Sequence, residues 1–162
     1  MELYSDIILT HNSTPFYFEK KTDAQYILEA YNPLCGDKFK IYLDIENDMI
    51  SQIYFHGYGC AVSKAATSVL MKKIFGKNIS DAKIILKNYF FILEKDLEKD
   101  LSKNNFEEKF FEEKNLEKNN FLDAEIFAFN AIKKFPERKT CATLSWEVVN
   151  DFLNQNFQNF QN

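Results

Sequence analysis

The sequence predicts a single domain of mixed helix and strand, and three observations predict it. Strand-like segments lie early in the chain, at Ala24–Tyr31, Phe39–Ile45 and Ile50–Phe55. Segments with helical spacing follow at Ala61–Phe75, Asp81–Leu93, Phe121–Phe135 and Cys141–Phe152. Hydrophobic residues make up 46% of 162 positions, enough for one buried core.

The elements follow from the residues in order. At the N-terminus, residues 2–10 place Leu3, Ile7 and Ile8 on one helical face, and Pro15 marks the end of that helix. In the second strand Phe39, Ile41, Leu43 and Ile45 alternate with Lys40, Tyr42 and Asp44, the period of a half-buried strand. Glu46-Asn47-Asp48 supplies the turn to the third strand, so these two form a hairpin. Val62, Ala65, Ala66, Val69, Leu70 and Ile74 keep the three-four spacing of an amphipathic helix, and Gly76 stops it. Ser80 is the expected N-cap of the next helix. Asp123 stands near the start of the following one and Pro136 after its end; Leu144, Val148, Val149 and Phe152 line the last. Within the single domain 1–162, a charged insertion at about 94–120 carries nine acids against six lysines, hence −3 of the net charge of −4. It reads as a solvated insertion, with a partner-binding arm as the alternative. The tail 154–162, rich in Asn, Gln and Phe, is expected to fray.

Composition excludes several functions. An acidic chain with pI near 5.3 has no global basic excess with which to hold phosphate backbones or anionic membranes. No secretory signal opens the chain, and its longest aromatic–aliphatic run, Tyr89–Leu93, is far too short for a bilayer. The expected compartment is therefore the cytoplasm, and Asn12-Ser13-Thr14 and Asn78-Ile79-Ser80 are chance glycosylation matches. Three cysteines in a reducing compartment, odd in number, do not build a disulfide framework. They are metal ligands, reactive thiols, or simply small core residues. His11 and His56 are the only histidines, which leaves little for a hydrolase triad, and Gly57-Tyr58-Gly59 lacks the third glycine of a dinucleotide loop. His56 is expected to be an ordinary strand-end residue and Trp146 part of the core.

The cysteine neighbourhoods favour chemistry. Of the four glycines, Gly36, Gly57 and Gly59 flank the first two cysteines. Asn32-Pro33-Leu34-Cys35-Gly36-Asp37 reads as a loop that turns Cys35 and Asp37 toward one point. Phe55-His56-Gly57-Tyr58-Gly59-Cys60-Ala61-Val62-Ser63 ends at a helix start, where free N–H groups and the helix dipole favour a thiolate; Ser63 can help cap that turn. Cys141 also sits at a helix beginning, and Arg138 and Lys139 beside it are expected to lower its thiol pKa.

Together these elements resemble the U-type iron–sulfur scaffold family, which comprises IscU, SufU and the NifU N-terminal domain. The marks are Asn-Pro-x-Cys-Gly-Asp at 32–37, Gly-x-Gly-Cys-Ala-x-Ser at 57–63, Met71 followed by Gly76-Lys77, and Arg-x-x-Cys-Ala-Thr-Leu-x-Trp at 138–146. IscU-like members carry His just before the third cysteine; here it is Thr140, and the Arg138…Trp146 stretch looks like the SufU branch. SufU-like members commonly carry Lys at that position, whereas Lys139 lies one residue earlier.

The resemblance implies an α+β fold of the SufE/NifU kind, a small antiparallel three-stranded sheet with helices packed on one face. It implies one zinc ion on Cys35, Asp37, Cys60 and Cys141, a chemically sensible donor set. It also implies a zinc-dependent sulfur acceptor that takes persulfide sulfur from a cysteine desulfurase of the SufS/IscS type. Cys35 is the expected acceptor, Cys141 the second candidate, and Arg138 a supporting cation. One alternative is a scaffold on which Cys35, Cys60 and Cys141 hold a transient [2Fe–2S] cluster for downstream iron–sulfur carrier or assembly proteins. The other is a structural zinc module for protein contacts. At most, then, the chain is a sulfurtransferase; otherwise it is a non-enzymatic scaffold, without nucleic-acid or membrane partners.

Overall fold

A computed structural model of the protein describes residues 2–94 and 123–158. Three strands, β1 (Tyr26–Asn32), β2 (Asp37–Glu46) and β3 (Met49–Tyr58), pair antiparallel in the order β1-β2-β3. The helices are α1 (Asp6–Ser13), α2 (Ala61–Ile74), α3 (Ile79–Glu94), the short α4 (Ala124–Phe127) and α5 (Lys139–Asn156). This is the α+β arrangement expected: α2 and α5 lie against the sheet, α1 and α3 against α2. No helix among the described residues is long and apolar enough to cross a membrane.

Local chemistry explains the sheet. Asn47 and Asp48 take φ of 51° and 61°, the two-residue hairpin geometry that suits the right-handed twist of the strands and that Asn tolerates best. Phe39, Ile41 and Leu43 of β2 point into the core with Ala30 of β1 and Ile53 and Phe55 of β3. The strict alternation ends earlier than the sequence pattern predicts. The register shifts between Asp44 and Ile45, so Ile45 is only partly buried while Tyr42, on the opposite face, is covered. Residues 17–19 bond to the free edge of β3, with Phe55 N–H donating to Tyr17 C=O and Glu19 N–H to Phe55 C=O. That covers part of an otherwise open edge.

The first helix, expected over residues 2–10, spans Asp6–Ser13 with Ser5 as its N-cap, and the other helices depart from expectation in four places. First, α3 starts two residues early, at Ile79 rather than Asp81, and Asn78 rather than Ser80 caps it by accepting the Asp81 N–H at 2.8 Å. Second, the helix expected at 121–135 is α4 followed by a 3-10 stretch over Ala128–Lys134. Five consecutive residues, Ala128–Ile132, are buried there, and the tighter coil packs against α3 and α5. Residues 121 and 122 lie outside the described residues. Third, α5 begins at Lys139, ahead of Cys141. Fourth, α5 runs on to Asn156, into the segment expected to fray. Leu153 is buried, Phe152 packs on Tyr26, and Lys83 donates to the Phe157 carbonyl at 2.6 Å, a cation at a helix C-terminus. The charged insertion falls outside the described residues from position 95, as does the tail from 159.

Several polar groups of the core pair where α2, α3 and α5 meet. Trp146 stacks on Tyr89 with centroids 3.6 Å apart; its ring N–H donates to Ala66 C=O at 2.9 Å and the Tyr89 hydroxyl to Ala142 C=O at 2.6 Å. Trp146 is thus core, as expected. Thr67 and Ser145 share a buried hydroxyl–hydroxyl hydrogen bond of 2.7 Å across the same seam. These bonds fix the helix carrying Cys60 against the helix carrying Cys141.

A second polar cluster pins α1 and α4 to α2. The buried His11 ring bonds Ser68 Oγ at 2.7 Å on one side and Glu125 on the other; Lys72 and Lys73 each reach Glu125 at 2.8 Å, and Lys73 also pairs Asp123 at 2.6 Å. Burial alone would raise the Glu125 pKa, but hydrogen bonds from Lys72, Lys73 and His11 outweigh it and hold it at about 2. A carboxyl lowered on folding stabilises the fold at pH above its unfolded value of about 4.3, and that stability is lost as pH falls through about 2. Replacing Glu125 by Gln is expected to cost about 1 kcal/mol at pH 7 in urea unfolding. The gap from wild type should narrow steadily between pH 4.5 and 2; a gap constant over that range would show that the charge is not what holds the cluster.

Candidate metal centre

The site forms where two chain reversals meet the starts of two helices. Asn32 ends β1 and Asp37 opens β2, paired with each other, so residues 33–36 make the hairpin tip. The buried Asn32 side chain accepts Leu34 N–H at 3.1 Å, and its carbonyl accepts Gly36 N–H at 2.8 Å. Gly36 has φ of +74° with open space around it, so glycine is needed there for backbone conformation alone. The result lifts Cys35 to an exposed position beside Leu34, which is 94% exposed, and sends Asp37 inward. At the end of β3, Gly57 has φ of +140°, and a Cβ there would run into the Lys38 carbonyl. That close approach brings β3 alongside Asp37 just before the chain turns into α2.

Cys60 is the N-cap of α2. Its sulfur accepts Ser63 N–H at 3.4 Å and its own N–H donates to Asp37 Oδ1 at 2.9 Å. Asp37 is 1% exposed, and its other oxygen, Oδ2, is buried with no hydrogen-bond partner. A buried carboxylate oxygen in that state is costly unless something positively charged meets it. Cys141 lies in the first turn of α5, fully buried, with its sulfur 4.0 Å from that of Cys35. All three cysteines are free.

The structure therefore places the residues singled out in the sequence as follows. Ligand atoms of Cys35, Asp37 and Cys141 all lie within 4.8 Å of one another. Cys60 adjoins this group without belonging to it: it hydrogen-bonds the Cys141 side chain while its sulfur rests on the α2 N-terminus. Arg138 reaches Cys141 as a hydrogen-bond donor, and that contact, with the negative groups of Tyr4, Cys60 and Cys141, raises the Arg138 pKa. His56 is exposed on the outer sheet face and stacks on Phe18.

One electrostatic expectation reverses. Arg138 and Lys139 were expected to lower the Cys141 thiol pKa, but it is pushed up to about 12. Burial contributes most, followed by the hydrogen bond with Cys60 and the negative charges of Cys60, Asp37 and Cys35. Several groups that carry negative charge when deprotonated converge on one buried point, and a single guanidinium does not offset them.

This donor set suits a divalent cation with a taste for sulfur. Two thiolates and a monodentate carboxylate through Asp37 Oδ2, with a third thiolate adjoining, match the Cys and carboxylate ligands that zinc accepts in fours. Sequence reasoning missed that Asp37 also anchors the N-terminus of α2. Nothing in the spacing signals that bond, since the partners are 23 residues apart.

Three comparisons bear on this geometry. The model of the NifU-like N-terminal domain family matches residues 3–142. The chain belongs to that family. Over 151 residues it is 27% identical to the iron–sulfur cluster assembly scaffold protein IscU of Thermotoga maritima, covering 93% of this chain and 92% of the relative. It is also 27% identical over 148 residues to the zinc-dependent sulfurtransferase SufU of Bacillus subtilis, covering 91% and 86%. The crystal structure of a putative SUF-system scaffold protein from Fervidobacterium islandicum AW-1 superposes with a TM-score of 0.73 at 26% identity, over 93% of this chain and 96% of that one. The protein is thus an iron–sulfur cluster assembly protein of the IscU/SufU type. The two curated relatives match equally well, so similarity does not single out the SufU branch.

Exposure and thiol chemistry together order the cysteines. In metal-free protein at pH 8, Cys35 is expected to alkylate first with iodoacetamide and Cys141 last, slower by at least about tenfold, because the thiolate is the nucleophile. Peptide mass spectrometry over time reads this directly; equal rates would contradict the burial and raised pKa of Cys141.

Proposed function

We propose that the protein is a zinc-dependent sulfur acceptor that takes persulfide sulfur from a cysteine desulfurase, with Cys35, Asp37, Cys60 and Cys141 as the metal ligands. The observation that carries the reading is the convergence of Cys35, Asp37 and Cys141 within 4.8 Å, with the buried Asp37 Oδ2 unpartnered. The similarity to a protein named zinc-dependent sulfurtransferase supports the metal and the reaction class.

Zinc bound to these residues would keep the thiols deprotonated at neutral pH and protect them from oxidation. Asp37 supplies one oxygen while its other oxygen holds the Cys60 N–H, so the carboxylate does not swing. Cys35 is the group that can meet a partner, because it stands on the exposed hairpin tip while Cys141 is buried. Its thiolate would attack the outer sulfur of the desulfurase persulfide. A new S–S bond forms on Cys35, the old one breaks, and the desulfurase thiolate leaves and takes a proton. No net oxidation occurs. Arg138, within reach of Cys141, supplies positive charge beside the sulfurs during this exchange.

The second reading is assembly of a [2Fe–2S] cluster on the same cysteines, favoured by the equally good match to a relative named as a cluster scaffold. Metal and sulfide analysis of protein purified without oxygen separates the two. The sulfur-acceptor reading expects about one zinc per chain, and with a desulfurase and cysteine it expects labelled sulfur on Cys35 in wild type and none in Cys35→Ala. Iron matched by acid-labile sulfide would instead favour the scaffold. Zinc bound but no sulfur accepted would leave only the structural-module reading. Zinc binding is also expected to strengthen as pH rises through the neutral range, about tenfold per unit for each proton displaced, because Cys141 holds its proton until metal takes its place.

A further inference from the structure

Cys60 differs from the other proposed ligands in where its sulfur rests, and Ser63 is the residue that holds it. Ser63 is 1% exposed. Its backbone N–H donates to Cys60 Sγ at 3.4 Å, the N-cap bond of α2. Its hydroxyl oxygen lies 3.6 Å from the same sulfur and donates to the Cys60 carbonyl at 3.1 Å. The hydroxyl cannot move far. A Cβ at Gly59 would overlap Ser63 Oγ and lie 2.7 Å from the Phe39 ring, so the hydroxyl is packed between the Gly59 backbone and Cys60. Two acceptors are therefore within its swing, the Cys60 carbonyl and the Cys60 sulfur. A hydroxyl used only to cap a helix needs neither this burial nor this closeness to a thiol.

We propose that Ser63 is a positioning residue for Cys60: its hydroxyl turns from the Cys60 carbonyl onto the Cys60 sulfur when that sulfur ligates metal, and so controls how firmly the fourth ligand closes on Cys35, Asp37 and Cys141. This rests on the reading of Cys60 as a metal ligand. A thiolate bound to a metal is only an acceptor, and two donors on one side of it, N–H and O–H from the same residue, stabilise its charge and fix its direction. Without the hydroxyl, the N–H remains, the cap remains, and the sulfur keeps one donor instead of two.

The test uses the full chain loaded with zinc or with cobalt(II), comparing wild type, Ser63→Ala and Ser63→Thr, which keeps the hydroxyl. Ser63→Ala is expected to lose zinc to a chelator roughly five- to tenfold faster than wild type, the scale of one hydrogen bond to a charged group. Its sulfur-to-cobalt charge-transfer band should move to lower energy, since a sulfur with one donor fewer holds its electrons less tightly. Ser63→Thr should stay near wild type in both. Melting of the metal-free proteins isolates a purely structural role, which would lower stability without moving the band. Wild-type band position and release rate in Ser63→Ala would overturn the proposal, as would equal impairment in Ser63→Thr and Ser63→Ala. If wild type itself gives no thiolate-to-cobalt band, the four-ligand reading has failed, and the role of Ser63 falls with it.

Discussion

The Asp37 carboxylate joins the two halves of the molecule. One oxygen takes the N–H of Cys60 at 2.9 Å and so fastens the first residue of β2 to the N-terminus of α2. The other is buried without a partner, and a carboxylate oxygen of Asp37 lies within 4.8 Å of the sulfurs of Cys35 and Cys141. The first bond is a charge-assisted hydrogen bond to a helix N-terminus, a favourable place for a carboxylate. It satisfies half of the group's hydrogen-bonding capacity and leaves the other half directed to the site. Asparagine could keep the bond but would bring no charge. Under the metal proposal a fourth cysteine could bring charge, but one sulfur would then have to serve both the N–H and the metal. Aspartate has two oxygens for two tasks.

Rigidity on one side and access on the other follow from how the three candidate ligand cysteines are mounted. Cys60 and Cys141 sit at the starts of α2 and α5, and those helices are locked by Trp146 on Ala66, by Thr67 on Ser145 and by Tyr89 on Ala142. Apolar packing alone would join two helices but would resist a small slide along their axes less well. Directional buried hydrogen bonds resist it, because a slide would leave donors and acceptors unpaired. Cys35, by contrast, is on a four-residue tip whose only internal supports are the bonds to Asn32. The site thus has two sulfurs on fixed mounts and one on a tip exposed to solvent.

Much of this was legible in the sequence, for identifiable reasons. The hairpin at Asn47-Asp48 has a turn chemistry that few other geometries accommodate, and α2 shows through the three-four spacing of Val62, Ala65, Ala66, Val69, Leu70 and Ile74. The cysteine loops could be read from their glycines, since Gly36 and Gly57 mark positive φ at the points where the chain reverses. What failed to show has a common cause: it depends on partners distant in the chain. The 3-10 stretch at Ala128–Lys134 has helical composition, and its contacts are with α3 and α5. The cap on α3 went to Asn78 over Ser80, two residues equally able to cap, because the strand end bridging Met49 to Asn78 sets where the helix starts. Nor could the sequence reveal that His11, Ser68 and Glu125 meet.

The reversal at Cys141 carries the most about function. From sequence, two neighbouring cations argued for an easily ionised thiol. In the fold, burial and the company of Cys60, Asp37 and Cys35 argue more strongly against it. Arg138 is only half-buried, so solvent weakens its charge, while Cys141 itself is buried, and that burial opposes its ionisation most. A permanently activated buried thiolate would need a counter-charge held beside it, and the half-buried Arg138 guanidinium does not offset the burial. Under the sulfur-acceptor proposal the balancing positive charge is that of the bound metal. That makes the ionisation of these sulfurs conditional on a bound cation, and under the sulfur-acceptor proposal it ties the reactive form of the site to the presence of the metal.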